Sequence, residues 1–518
     1  MSSVPERGDI DPAHKWDLSS VFESDEAWEA AFADAEERIP EVAAYEGRLT
    51  ESADTLLSAL ETHEDVMRDV ARVATYANLR ASEDTRVDEY QAMVSRAESL
   101  TARARSAASY IEPELQALDE EAFAAYVGTE PALAEYEHMV EDARRTRPHT
   151  RSPEVEELLA DLSEVTDAAS DVYSMLANAD MEFPSVERPD GDPVEITLGN
   201  FTTLQKHPAR GFRREVHDAF YDRWGEVHNA VGTALRKSVT ADVKLARARD
   251  YGTAREAALD GPNVPVAVYD TLVDAVERNL DALHRHADLK RAALGVDDLR
   301  PWDLYASTTG DDPPEIPYAD AREHVLDAVA PLGETYRERL AEGLESRWVD
   351  VYENRGKRSG AFSSGTYDTQ PFVLMNYQDD VASLFTLAHE LGHSMHSLLA
   401  NEAQPWQYSD YEIFVAEVAS TVNETLLTRH LLSTVEDDRF RWHVLDEYLE
   451  RVRSTLFRQT MFADFERAVH EVVEDGEGLT PDRLDDLYRD RKARYWEPAT
   501  LDDRIDREWM RIPHFYMG

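Results

Sequence analysis

The chain has 518 residues, of which 105 are acidic and 54 are basic, so its formal net charge is −51 at neutral pH. This charge argues against nucleic acids and anionic membrane surfaces as partners, because both would repel it. The sequence contains no cysteine, which excludes disulfides, thiolate zinc sites and cysteine nucleophiles. With 42% hydrophobic residues, it can bury a core large enough for two or three domains.

Acidic residues are spread over the whole length, and only seven of the basic residues are lysine. A strongly charged surface stays hydrated, and salt screens its self-repulsion. The composition therefore favours a halophilic protein from a very salty cytoplasm over an acidic protein with disordered tails. The N-terminus has no apolar signal region, and no run approaches ~18 apolar residues, so we expect a cytoplasmic protein without a membrane span.

Helical periodicity dominates the first 200 residues. Apolar residues recur at three- and four-residue steps over residues 28–118, and again over 155–179. Residues 181–200 carry three prolines and an Asp-Gly pair, which predicts a short β-hairpin or loop and a domain boundary near its end. We therefore predict a helical N-terminal lobe over residues 1–200 and a second domain over residues 201–518.

The second domain begins with further helical sequence and then changes character. Residues 348–352 and 372–377 are typical of strands, and the segment 356–362 between them is turn-like. The sequence therefore predicts a mainly α fold with a small β-sheet immediately before residue 384.

Residues 384–399 have the pattern of a helix with one buried face. The apolar positions are Leu384, Leu387, Ala388, Leu391, Met395, Leu398 and Leu399. His389 and His393 lie one turn apart on the same face, so both imidazoles can reach one zinc ion. Glu390 follows the first histidine and can take a proton from the bound water, as in metalloproteases. The alternative is a helix that carries two histidines on a polar face.

Such a zinc site needs a third protein ligand and an open position for water. The metzincin pattern fails, because it would require a histidine at position 399. Residues 409–431 have the pattern of a following helix, and Glu417 is our candidate, because a carboxylate among apolar neighbours needs a strong partner. Glu424, two turns further on, is predicted to accept a hydrogen bond from a ligand imidazole. An ordinary ion pair is the alternative for both glutamates, and His396 is interpreted as a supporting or core residue.

Five segments together closely resemble oligoendopeptidase F, of the thimet-oligopeptidase-like zinc peptidases of family M3. They are His-Glu-Leu-Gly-His-Ser-Met-His at 389–396, Phe-Val-Ala-Glu-Val-Ala-Ser at 414–420, Lys-Trp-Asp-Leu at 15–18, Gly-Lys-Arg-Ser-Gly-Ala at 356–361, and residues 371–377. The resemblance covers nearly the whole chain. It implies a mainly α, two-lobed helical shell around a deep substrate channel, with the small sheet beside the zinc helix.

The resemblance also implies the chemistry. His389, His393 and Glu417 would bind one zinc ion, and Glu390 would be the general base. The protein would be a zinc metalloendopeptidase that hydrolyses internal bonds of short peptides and excludes folded proteins. The strand at 372–377 would pair with the substrate backbone by strand addition.

The end of the chain departs from the family pattern. His514 and Tyr516 match residues that are expected to donate hydrogen bonds to the tetrahedral oxyanion, and they enter our catalytic set with Glu390. In the family, a tyrosine-rich stretch and further helices follow, so we expect a C-terminally truncated member. Losing one oxyanion donor typically costs about 10²–10³ in rate. The alternative function is therefore a catalytically impaired member that still binds zinc and peptide.

Overall fold

The computed structural model describes residues 4–310 and 314–517, and its elements confirm the mainly α prediction. The helices are α1 (Asp25–Ala43), α2 (Ala53–Glu83), α3 (Asp88–Ala108), α4 (Ile111–Ala117), α5 (Glu120–Thr129), α6 (Glu137–Thr146), α7 (Pro153–Asp161), α8 (Ser163–Met175), α9 (Phe201–Gln205), α10 (Arg210–Glu226), α11 (His228–Ala248), α12 (Ala254–Asp260), α13 (Val266–Glu277), α14 (Leu280–Ala293), α15 (Tyr318–Ala328), α16 (Glu334–Glu345), α17 (Val381–Ala403), α18 (Ile413–Thr434), α19 (Asp438–Val452), α20 (Gln459–Glu474) and α21 (Pro481–Tyr495). The strands are β1 (Ser185–Glu187), β2 (Pro193–Glu195), β3 (Val349–Asp350), β4 (Phe362–Ser364) and β5 (Phe372–Leu374).

The chain folds into two compact units, each assembled from two separate stretches of sequence. Unit 1 comprises residues 1–147 and 313–444, and unit 2 comprises residues 148–312 and 445–518. The predicted boundary near residue 200 lies inside unit 2, just after the predicted hairpin, which is present as β1 paired with β2. The domains predicted at 1–200 and 201–518 differ from these units, because one boundary cannot describe stretches that alternate. The division into domains at 1–200 and 201–518 therefore stays a prediction.

Unit 1 contains a three-stranded sheet in the order β3-β5-β4, in which β3 is parallel and β4 antiparallel to β5. The sequence predicted β3 and β5 but not β4, of which only Phe362 lies in the segment predicted as a turn. β5 is hydrogen-bonded along both edges, so the prediction that the strand at 372–377 accepts a substrate backbone is wrong. Among the residues that the structure describes, β4 has a partner strand on one edge only.

The sheet lies between two layers of helices. Phe372 and Leu374 of β5 pack against α1–α3, whereas Val373 between them packs with α15–α17. All three side chains are fully buried, as expected where successive side chains of a strand point to opposite faces. The sheet therefore anchors the long helix α17. In the described part of the chain, no helix is both long and apolar enough to cross a membrane.

A buried group of charges, which we call the Asp350 cluster, joins the N-terminal segment to the sheet. It consists of Arg7, Glu83, Asp350 and Lys357. Arg7 donates from Nη1 to Asp350 Oδ1 at 2.7 Å and from Nη2 to Glu83 Oε1 at 2.9 Å. Lys357 Nζ lies 2.6 Å from Asp350 Oδ1, and both side chains are fully buried. Trp16 Nε1 also donates to Glu83 Oε1, at 2.8 Å. These contacts give the segments at 15–18 and 356–361 a structural role.

Candidate metal centre

Helix α17 has the buried face that its apolar periodicity predicts. It begins at Asp380, whose carboxylate accepts the backbone N–H of Ser383 at 2.7 Å. Five of the predicted apolar residues are at most 1% exposed, namely Leu384, Leu387, Ala388, Leu391 and Met395. Leu399 is 40% exposed, contrary to the prediction; it lies one turn before the end of the helix at Ala403.

Helix α18 packs closely against α17, and a glycine makes this possible. A Cβ atom added at Gly392 would lie 2.6 Å from Cα of Ser420, so only glycine fits there. Asn423 Nδ2 donates to the carbonyl oxygen of Ala388 at 3.2 Å, which fixes the register of the two helices. In this register Glu417, one turn before Ser420, lies beside the two histidines.

His389, His393 and Glu417 converge on one point. Nε2 of His389 lies 3.1 Å from Nε2 of His393 and 3.3 Å from Oε2 of Glu417, and the distance from His393 Nε2 to Glu417 Oε2 is 3.6 Å. In a tetrahedral zinc site with bonds of 2.0–2.1 Å, ligand atoms are separated by about 3.3 Å. Two imidazoles and one carboxylate are a common donor set for zinc, and here their spacing matches its coordination tetrahedron. The residues therefore fit zinc.

Glu424 holds the first histidine in the orientation that this site requires. Its Oε1 lies 2.6 Å from Nδ1 of His389. A carboxylate only accepts hydrogen bonds, so the proton is on Nδ1, and the lone pair of Nε2 faces His393 and Glu417. Burial opposes the charged form of His389, but the hydrogen bond that it donates to Glu424 and the charges of the nearby carboxylates together outweigh burial and raise the pKa of His389. The structure thus supports the predicted hydrogen bond between Glu424 and a candidate ligand.

The environment of Glu417 differs from the one that led to its selection. We expected a carboxylate held among buried apolar neighbours, but its side chain is 58% exposed, and so is that of Val418. Ser420 Oγ donates to Glu417 Oε2 at 2.8 Å, which turns the carboxylate towards the histidines. The first half of α18 has an exposed apolar face, so the apolar context that suggested Glu417 is not buried, although its carboxylate does lie beside the two histidines.

Glu390, His393 and His396 differ from one another in exposure and in the groups that they contact. Glu390 is 7% exposed, and its charge helps to raise the pKa of His389. Burial lowers the pKa of His393, which favours the neutral imidazole. His396 is stacked on Tyr411 with ring centroids 3.6 Å apart, and it is absent from the converging group.

His514 and Tyr516 belong to unit 2 and differ sharply in exposure. His514 is exposed, whereas Tyr516 is 1% exposed and stacks on Tyr173 with ring centroids 3.7 Å apart. Ser238 Oγ donates to the carbonyl oxygen of Tyr516 at 3.3 Å. The catalytic roles assigned to both residues stay predictions.

Unit 2 also contains a His/Asp group that the sequence analysis missed. Nδ1 of His217 lies 3.2 Å from Asp218 Oδ1 and 4.0 Å from Asp502 Oδ2. Arg504 Nη1 lies 3.9 Å from the same Asp218 oxygen, so a cation already faces this group. No periodic signal could have revealed it, because its members are almost 300 positions apart in sequence.

Comparison with known proteins finds family models and relatives that together match almost the whole chain. The model of peptidase family M3 matches residues 203–518, and that of oligopeptidase F matches residues 114–183. Oligopeptidase PepF of Bacillus subtilis is 42% identical over 99% of this chain and 77% of its own length. Group B oligopeptidase PepB of Streptococcus agalactiae is 39% identical over 98% of this chain and 85% of its own.

A solved structure of the same group shares the fold of this chain. The crystal structure of oligoendopeptidase-F from Enterococcus faecium superposes with a TM-score of 0.71 at 33% identity, covering 95% of this chain and 84% of that one. The sequence similarity and the structural similarity each extend over almost the whole chain. The chain therefore belongs to peptidase family M3, in the oligoendopeptidase F group.

Proposed function

We propose that this protein is a zinc-dependent metalloendopeptidase that hydrolyses internal bonds of short peptides and binds one zinc ion per chain. The observation that carries the proposal is the convergence of His389, His393 and Glu417 at distances that fit a zinc tetrahedron, beside Glu390. The relatives named oligopeptidases support short peptides as the substrate class. The alternative of an impaired member is not favoured by this site, because the three proposed ligands converge and the proposed base follows the first of them in sequence.

When bound, zinc would polarise the scissile carbonyl and lower the pKa of the attacking water. Glu390 would accept the proton of that water and pass it to the leaving amine. Glu424 would keep the lone pair of His389 directed at the ligand set, and Ser420 would do the same for Glu417. The chain's own contribution is thus a positioned base and an oriented ligand set.

The free edge of β4 is the proposed place for the peptide backbone. Ser363 of β4 is hydrogen-bonded to Ser394 of α17, with 2.8 Å between the hydroxyl oxygens, so β4 lies directly beside His393. A cavity of about 480 Å³ follows β4 and is lined by α2, α3 and residues 362–366. A peptide added to this edge would direct alternate side chains into the cavity.

His514 is the oxyanion donor that we propose first, because its imidazole is exposed. The same role for Tyr516 requires its hydroxyl to become accessible, because that hydroxyl is buried in unit 2. A cytoplasmic location at high salt also stays a proposal, and it rests on the composition of the chain.

The test uses an internally quenched short peptide in molar KCl. Glu390→Gln should lose about 10²–10⁴ in kcat while it still binds one zinc, because only the base is removed. Glu417→Gln should lose zinc as well as activity. Glu412→Gln, an exposed change at the start of the same helix, is the matched control and should behave like the wild type. Full activity of Glu390→Gln with zinc bound would contradict the assignment of the base.

A further inference from the structure

A second buried group of charged residues lies in unit 2, around Glu508. This carboxylate is 1% exposed and receives four donors. Its Oε2 accepts from Lys492 Nζ and, at 2.7 Å, from the hydroxyl of Tyr488. Its Oε1 accepts from Nη2 of Arg458 at 3.1 Å and from Nη2 of Arg511 at 3.2 Å. We call these residues, together with Tyr305, the Glu508 cluster.

The Glu508 cluster contains more positive than negative charge. Lys492, Arg458 and Arg511 share one carboxylate, and within residues 4–310 and 314–517 no other carboxylate oxygen lies within 4.0 Å of their nitrogens. The burial of these cations is pronounced, with 2%, 17% and 12% of their side chains exposed, respectively. The chain has 105 acidic and 54 basic residues, so carboxylates are plentiful, and yet these three buried cations share only one of them.

The neighbouring charges increase this surplus. Arg453 lies over the ring of Tyr305, 5.5 Å from its centroid, and pairs with Glu450 at 2.8 Å. Lys290 Nζ pairs with the same carboxylate at 2.7 Å. Across the two adjoining groups, five cations therefore share two carboxylates. Unbalanced charge removed from water is costly, so a partner of negative charge is expected.

Unused donors show where that partner would bind. The Nε–H groups of both Arg458 and Arg511 are buried and have no hydrogen-bond partner in the described structure. The hydroxyl oxygen of Tyr305 accepts from Arg511 Nη2 at 2.9 Å. Burial raises the pKa of the Tyr305 phenol, but Arg458 and Arg511 outweigh it, so the pKa of Tyr305 is lowered. The positive field is therefore concentrated on the face formed by these three residues.

We propose that the face formed by Arg458, Arg511 and Tyr305 binds a small monovalent anion, with chloride as the ion expected in a salty cytoplasm. The anion accepts the unused N–H groups and balances the charge that Glu508 leaves unpaired. Bromide is the probe of choice, since it replaces chloride and scatters X-rays anomalously.

The site also links the anion to the segment that bears His514. Arg511 lies three residues before His514, and residues 505–516 form consecutive short helical turns. Fixing Arg511 therefore fixes this segment. We therefore expect halide to raise peptidase activity. This expectation rests on the proposed function, whereas anion binding itself does not. Bromide binding without any effect of bromide on peptide cleavage would contradict the link to activity and leave the anion site intact.

The test combines crystallography with halide titration of the full chain. Crystals grown in KBr should show an anomalous bromine peak at the guanidinium groups of Arg458 and Arg511. Bromide titrated at constant ionic strength with potassium fluoride should raise the melting temperature of the wild type. Arg458→Gln should weaken bromide binding by about 10–100-fold, the effect of losing one charge-assisted hydrogen bond. Arg504→Gln, which removes an exposed pair with Asp222, is the matched control.

Two outcomes would overturn the proposal. Bromine peaks only at surface residues, or an equal halide response in wild type and Arg458→Gln, would mean that the face holds no anion. Tyr305→Phe tests the competing explanation of an ionised phenol. If the wild type absorbed as a tyrosinate in halide-free buffer and this variant did not, Tyr305 itself would balance the charge.

A peptide control identifies the source of the negative charge. A peptide with a free C-terminal carboxylate and its C-terminal amide are each added at fixed bromide. Neither should displace bromide if the site takes a small inorganic ion. Displacement by the acid alone would assign the face to a peptide carboxylate and contradict the halide proposal.

Discussion

The candidate metal centre of unit 1 and the Glu508 cluster of unit 2 present opposite kinds of groups. In the first, the lone pairs of His389, His393 and Glu417 face one point. In the second, N–H donors of three cations surround a single carboxylate, and some remain unused. Converging groups of one sign point to a ligand of the other sign. The comparison therefore connects both regions to a bound ion.

The Asp350 cluster provides the balanced reference. Arg7 and Lys357 face Asp350 and Glu83 there, and Arg80, which also pairs with Glu83, is balanced in turn by Asp25. Both oxygens of Asp350 are paired, and Trp16 adds a neutral donor. Such a closed group stabilises the fold and needs no ligand. Three of the seven lysines, Lys290, Lys357 and Lys492, are buried in the charged groups described here. The surface accordingly carries few lysines, and the remaining basic residues are arginine.

The largest expected effect comes from unbalancing the Asp350 cluster. Lys357→Met should lower the free energy of unfolding by about 3–5 kcal/mol, because it removes one of the two cations that compensate the buried charge of Asp350. Denaturant unfolding in molar KCl measures the change. Lys237→Met, at an exposed position of α11, is the control and should stay within about 0.5 kcal/mol of the wild type. Similar values for the two variants would contradict the structural role of this cluster.

The pairing of Glu450 predicts a dependence on pH. Burial raises the pKa of this carboxyl, but Lys290 and Arg453 outweigh it and lower the pKa to about 2, from 4.5 for an ordinary glutamate. The stabilisation is present above pH 4.5 and is lost as the pH falls through about 2. Glu450→Gln should remove up to about 3 kcal/mol of acid-sensitive stability between these values.

Unfolding curves measured from pH 2 to 7 test this sign. Glu447→Gln, on the same helix and paired with Arg451 at 2.9 Å, is the control. An acid profile of Glu450→Gln as steep as that of the wild type would show that this pair is not charged in the folded protein.

The contact between α17 and α18 gives a smaller, more local prediction. Gly392→Ala should cost about 1–3 kcal/mol and weaken zinc binding, because its methyl group meets the backbone of Ser420. Gly128→Ala in α5 is the control, since its Cβ would contact nothing within 4 Å and alanine favours the helix. Zinc affinity and the free energy of unfolding are measured for both. Unchanged zinc affinity in Gly392→Ala would mean that helix spacing does not set the ligand geometry.

The smallest effect is expected at Glu424. Glu424→Gln should weaken zinc binding by about 10–100-fold, because the amide accepts a hydrogen bond but no longer supplies charge to His389. Competition with a chromophoric chelator measures the affinity. If the variant bound zinc as tightly as the wild type, the short contact with His389 would have no influence on the metal.

Much of the metal centre could be predicted because its signals are local. Helical periodicity placed His389 and His393 on one face, and the structure shows their Nε2 atoms 3.1 Å apart. Glu417 was chosen for its apolar neighbours and Glu424 for its spacing of two turns from Glu417, and both lie beside His389. Spacing within a helix determines which residues share a face, so short patterns carried this information.

What the sequence could not predict depends on distant contacts. β4 was not predicted, because three strand residues after a segment with two glycines carry almost no periodic signal. The two units alternate along the chain, so no single compositional change marks them. The Glu508 cluster joins Tyr305 to residues 458–511, and no pattern in either segment indicates that they meet.

The most direct test of the central claim is zinc titration of metal-stripped protein in molar KCl, followed by cleavage of a quenched short peptide. The account predicts that stripped protein is inactive and that cleavage returns in proportion to zinc, reaching a plateau at one ion per chain. Cleavage by stripped protein, or zinc binding that survives replacement of both His389 and His393, would contradict it.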